Sequence, residues 1–103
     1  ADPKNTVLVL SSLTTVRASN IPKSYVENKR RLEETCVILQ NAPDIKCRII
    51  IVRPGFVDTK LVKDLLDKTK HRYLEPGCLA RFLLTLIESP VYVKEVNLVG
   101  DTL

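Results

Sequence analysis

The chain has 103 residues, the size of one small domain. Hydrophobic residues make up 45% of it, aromatics only 5%, and there is no Trp, so the core has to be aliphatic. A net charge of +4 with acids interleaved reads as solvated helix faces, and argues against a nucleic-acid reader with its one-sided basic patch and stacking aromatics.

Val7-Leu8-Val9-Leu10 is apolar on both faces, which fits an interior parallel strand, and it opens into Ser11-Ser12. Leu13 to Pro22 is polar and irregular and reads as a loop. Pro22 stands at a helix start, with Ser24 as its cap. From Tyr25 to about Gln40 the chain is rich in helix formers. Leu32, Cys36 and Leu39 make its apolar stripe, bordered by Val26, Lys29 and Glu33, and Asn41 and Pro43 end it. Ile49-Ile50-Ile51-Val52 predicts a second buried strand, stopped by Arg53-Pro54-Gly55.

Leu61, Val62, Leu65 and Leu66 give a short amphipathic helix. A polar connection follows, from Thr69 to Glu75-Pro76-Gly77. Leu79, Phe82, Leu83, Leu86 and Ile87 keep the spacing of one buried helix face, which Ser89-Pro90 stops. Glu95 to Val99 alternates, with Val96 and Leu98 to one side, as a third strand closed by Gly100. The order predicts an α/β fold: a single domain over 1–103 with a three-stranded parallel sheet and flanking helices. An apolar first strand left with an unpaired side would be a sticky edge, so the chain reads as part of a larger sheet that associates with a partner.

Cys36, Cys47 and Cys78 form no C-x-x-C pair, and His71 is the only histidine and reads as a surface residue, which excludes an ordinary zinc site. Cys36 and Cys47 lie among apolar residues and read as core filler. The odd, unpaired count favours a reducing, cytoplasmic compartment. No apolar run approaches ~18 residues, so no membrane span is expected.

The densest chemistry lies between Ser12 and Lys29. Tyr25 follows Ser12 by thirteen positions, and Lys29 stands four further on. Residues four apart share one helix face, and an ammonium one turn from a phenol favours the phenolate. A serine delivered from a strand end can join them, and the three together can pass a proton to or from a carbonyl oxygen. Each also has a plainer reading. Tyr25 can pack the helix on the sheet, Lys29 can be one more exposed lysine in Lys29-Arg30-Arg31, and Ser12 can cap the strand end, where Ser11 serves equally.

With these residues in order, the chain resembles the closing part of the short-chain dehydrogenase/reductase family, which implies that its sheet is the C-terminal part of a Rossmann-like sheet. Tyr25-Val26-Glu27-Asn28-Lys29 matches the family's Y-x-x-x-K, Ser12 keeps its spacing to the tyrosine, and Pro54-Gly55-Phe56-Val57-Asp58-Thr59 matches its P-G-x-V-x-T turn. The resemblance implies Tyr25 as general acid/base, Lys29 as its electrostatic partner and a ligand of the nicotinamide ribose, and Ser12 orienting the substrate oxygen. It implies Pro54, Gly55, Val57 and Thr59 around the nicotinamide carboxamide, although Thr59 also fits a simple N-cap. Leu61 to Arg72 would cover the substrate.

The implied cofactor is NAD or NADP, with a slight preference for NADP, and no metal. The family's glycine-rich phosphate turn cannot be made from Gly55, Gly77 and Gly100, and its catalytic asparagine also lies outside this chain. The expectation is therefore the C-terminal segment of a carbonyl/alcohol oxidoreductase, inactive alone and completed by an N-terminal half or partner chain, in a homo-oligomer. The other reading is a non-catalytic binding or assembly module that keeps the half-fold. An unrelated α/β module with accidental motifs is a third.

Overall fold

The segment Arg48–Pro54 reads RIIIVRP, and a run of four large aliphatics is stable as a strand only when both of its faces are covered. The computed structural model describes residues 5–16, 21–57 and 73–100. In it Arg48–Pro54 (β2) is the middle of a three-stranded sheet, between Thr6–Leu10 (β1) and Glu95–Leu98 (β3). Both pairings are parallel, with Val9 opposite Ile51 and Val52 opposite Val96.

Two helices cover β2. Lys23–Gln40 (α1) lies on the face of Ile49 and Ile51, where Cys36 packs with Val9, Ile45 and Cys47. Pro76–Glu88 (α2) lies on the face of Ile50 and Val52, where Leu86 packs with Leu8, Leu83, Val96 and Leu98. The period-two alternation of a strand assigns the two sets. The fold is α/β, and its three parallel strands with helices on both faces match part of a Rossmann-like sheet.

The arginines that flank the aliphatic run are buried too, one on each face. Arg48, on the α2 side, donates to the carbonyls of Ser89 at 2.8 Å and Val91 at 2.7 Å, and its guanidinium lies 5.2 Å from the centre of the Tyr92 ring. Tyr92 in turn accepts from the Ile49 N–H at 2.8 Å and donates to the Ile49 carbonyl at 2.7 Å. Arg53 turns to the α1 side, where it meets Glu33.

Several expectations change. β1 is an edge strand here, with Val7 48% and Leu10 50% exposed, because β2 covers only one of its sides. β2 does not stop at Arg53 but carries its pairing with β3 through Pro54. Leu13–Thr15, within the expected loop, forms a single 3-10 turn. α1 starts at Lys23 after Pro22, and no side chain caps it, so Ser24 is not its cap. The buried positions of α1 are Glu33 and Cys36, whereas Leu32 and Leu39 are exposed. The helix is thus rolled away from its expected stripe.

α2 begins at Pro76 and so takes in the last two residues of the expected connection, Pro76 and Gly77, with Phe82 on its exposed side. The short helix expected from Leu61, together with Thr59 and His71, lies outside the described residues.

After β2 the chain forms a parallel bridge, Val57 to Leu74, and Leu74 N–H donates to the Phe56 carbonyl at 2.7 Å. Gly100 presses against this segment: a Cβ there would lie 1.8 Å from the Tyr73 carbonyl oxygen. Gly55 has ordinary room, with its nearest neighbour 3.5 Å from such an atom. Gly100→Ala should therefore cost about 2 kcal/mol or more, and Gly55→Ala clearly less, as read from urea midpoints of the two variants.

Candidate active site

The carboxyl ends of the three parallel strands share one rim, the usual place for a ligand in such a sheet. α1 approaches that rim with its first two turns. Lys29 Nζ donates to the carbonyl of Leu10, the last residue of β1, at 3.2 Å, and lies 5.7 Å from the centre of the Tyr25 ring. The structure therefore brings Tyr25 and Lys29 together, one turn apart, with Lys29 reaching the residue before Ser11-Ser12. Tyr25 is exposed, as a group that meets a substrate must be.

The two serines turn to different partners. Ser12 is bound to Thr14, its hydroxyl 2.8 Å from Thr14 Oγ1 and accepting from the Thr14 N–H at 3.2 Å, and so caps the 3-10 turn. Ser11 is buried and donates to Glu33 Oε2. Gly55 donates its N–H to the Leu98 carbonyl at 2.8 Å, which holds the Pro54-Gly55 turn onto β3. Val57 is at the rim in its bridge with Leu74. A shallow groove lined by Thr15, Arg30, Glu33, Glu34, Val37 and Ile38 opens beside α1, and Ser12, Tyr25 and Lys29 do not line it.

Beneath the rim lies a polar cluster that hydrophobic spacing along the chain does not reveal. Glu33 Oε1 accepts from Arg53 Nε at 2.9 Å and Nη2 at 2.7 Å, while Arg53 Nη1 donates to Glu95 Oε1 at 3.0 Å and Asn97 Oδ1 at 3.2 Å. The side chains of Arg53 and Glu33 are only 9% and 11% exposed. Burial alone would raise the Glu33 carboxyl. Hydrogen bonds from Arg53, Ser11 and Thr15, with the guanidinium charge, outweigh it and hold the carboxyl below its ordinary value. The Cys36 thiol is pushed up, by its burial and then by the Glu33 charge.

Two signals could have shown the cluster in advance. Glu33 stands four after Lys29 and eight after Tyr25, hence on the same face of the helix. Arg53 directly follows a wholly buried apolar run and so required a partner.

Among the described residues no three side chains are grouped to hold a metal ion, and no helix is long and apolar enough to cross a membrane. No protein-family model matches the chain, and no curated protein matches it.

A carboxyl whose folded value lies below its unfolded one adds stability that is complete above the unfolded value and is lost as pH falls through the folded one. The urea midpoint should thus drop as the pH is lowered below about 4, the ordinary carboxylate value. Glu33→Gln should flatten that drop and lower the midpoint at pH 7. Thiol labelling gives an independent check on the packing: iodoacetamide should modify exposed Cys78 in the folded chain and leave buried Cys36 intact until denaturant is added.

Proposed function

We propose that the chain is the C-terminal segment of an NAD(P)-dependent oxidoreductase of the short-chain dehydrogenase/reductase type, interconverting a carbonyl and an alcohol. The observation that carries the proposal is the placement of Tyr25 and Lys29, stacked one turn apart, with Lys29 bonded to the end of β1 at the carboxyl rim. In the reducing direction Tyr25 gives its proton to the substrate oxygen as negative charge develops there, and Lys29 stabilises the phenolate that remains. Ser12, whose hydroxyl here makes two contacts with Thr14, would turn from Thr14 Oγ1 to orient that oxygen. The nicotinamide, when bound, supplies the hydride.

The residues present fit only the nicotinamide end of such a cofactor. Lys29 would reach its ribose hydroxyls, and Pro54, Gly55, Val57 and Thr59 would face its carboxamide. Gly55, Gly77 and Gly100 are too far apart in sequence for a phosphate-binding turn, and the Gly55 N–H is already bonded to Leu98. The phosphate half of the pocket would come from a complementary N-terminal half, whose strand would pair with the open edge of β1. The assembly would be a homo-oligomer in the cytoplasm, and the chain alone would not turn over substrate.

A second reading, a non-catalytic binding or assembly module, is favoured by one observation: Val7 and Leu10 on the sheet edge, and Leu32, Val37, Ile38 and Leu39 on α1, are all exposed. The two readings separate when the chain is supplied with its complementary half, NADPH or NADH, and a panel of carbonyl compounds. Turnover that Tyr25→Phe lowers by about 100-fold or more supports the oxidoreductase. Full turnover in that variant would remove Tyr25 from the chemistry, and assembly without turnover would favour the binding module.

A further inference from the structure

We infer that the buried Glu33–Arg53 pair is a positioning device: it sets the roll of α1 on the sheet and thereby holds Lys29 and Tyr25 at the carboxyl rim. The link to Tyr25 as a working residue rests on the function proposed above, but the mechanical assignment does not.

Apolar burial does not determine how α1 lies. Its apolar side chains point around much of its circumference. Ile38 is 70% exposed, and Leu32, Val37 and Leu39 are exposed as well, leaving Cys36 as the buried apolar residue of the helix. A helix with this pattern has a competing seat, in which a modest roll brings Leu32 and Leu39 toward the sheet beside Cys36. That competing stripe is the one its sequence suggests.

What opposes the roll is polar. The inward face carries Lys29, Glu33 and Gln40 beside Cys36, and each of the three is hydrogen-bonded to the sheet or its flank. Lys29 holds the Leu10 carbonyl, and Gln40 Nε2 donates to the carbonyls of Ile49 at 2.7 Å and Lys94 at 3.0 Å. Glu33 makes the central contact, with Arg53 through one oxygen and Ser11 through the other. Arg53 cannot follow a rolling helix, because it is in the central strand and is also tied to Glu95 and Asn97 of β3. Charge-assisted bonds of this kind have a narrow geometry, unlike apolar contacts, so they select one roll among several of similar burial. Because Tyr25, Lys29 and Glu33 recur every four residues, a rotation at Glu33 carries the other two with it.

The test replaces the pair by apolar residues of similar size, Glu33→Leu with Arg53→Met, a change that often preserves or raises stability. Thermal melting reports folding. A brief pulse of acetic anhydride, read by mass spectrometry, reports how well Lys29 is held. The double variant should melt cooperatively, yet acetylate at Lys29 about fivefold faster, the equivalent of one lost hydrogen bond. Glu95→Gln, which leaves the Glu33–Arg53 contact in place, should change neither reading. Unchanged Lys29 labelling in the folded double variant would overturn the assignment.

Should the double variant fail to fold, Glu33→Gln is read in the same way, and unchanged labelling there overturns the assignment as well. In the protein completed by its other half, the double variant should also lose turnover. If Lys29 labelling rises while Tyr25→Phe remains fully active, the roll assignment stands and the oxidoreductase reading fails.

Discussion

Arg53 stands one residue before the end of the central strand, on the side of the sheet that α1 covers, and a guanidinium cannot be neutralised by giving up its proton. It has to be answered by acceptors, and the chain answers it from three directions: Glu33 on the helix, and Glu95 and Asn97 on the neighbouring strand. Ser11, at the end of β1, takes the remaining carboxylate oxygen. One charge thus draws Arg53 of β2, Glu95 and Asn97 of β3, Ser11 just past β1 and the middle of α1 to a common point. The rim on which Tyr25 and Lys29 stand is built over that point.

The other end of β2 meets the same difficulty differently. Arg48 gives its two terminal nitrogens to the main-chain carbonyls of Ser89 and Val91, without a carboxylate, and its Nε is left unpartnered among the described residues. Those carbonyls belong to the connection between α2 and β3, so the contact fixes a loop. The Arg53 contact fixes a helix instead. Replacing a neutral acceptor set by a carboxylate makes the arrangement dependent on pH and strict in its geometry, properties that suit a site more than a scaffold.

Most of the fold was legible because its signals are local and strong. The aliphatic tetrad Ile49 to Val52 reads as a covered strand wherever it occurs, and the Val96/Leu98 alternation gives the orientation of β3 correctly. The roll of α1 was misread for a physical reason. Hydrophobic periodicity ranks Leu32, Cys36 and Leu39 above Glu33, but the partner that draws Glu33 inward stands twenty residues away on another element. The edge position of β1 was similarly hidden, since an apolar run predicts cover on both faces and not how many strands flank it. At the site, the Tyr25–Lys29 neighbourhood follows from helical spacing alone. Which of two adjacent serines turns under the helix depends on where β1 ends, a detail that composition does not carry.

Tyr92 performs an unusual duty for a side chain, offering its phenol to both the N–H and the carbonyl of Ile49. Pairing between β2 and β3 starts only at Ile51, so the lower half of the central strand would otherwise show bare peptide groups on that flank. The phenol stands in for a missing peptide unit, and Gln40 adds a second plug at the Ile49 carbonyl. A foreign chain seeking to zip onto β2 therefore finds those groups taken. This small stopper directs any growth of the sheet away from that flank, and helps a short β3 to suffice where a longer strand would otherwise be required.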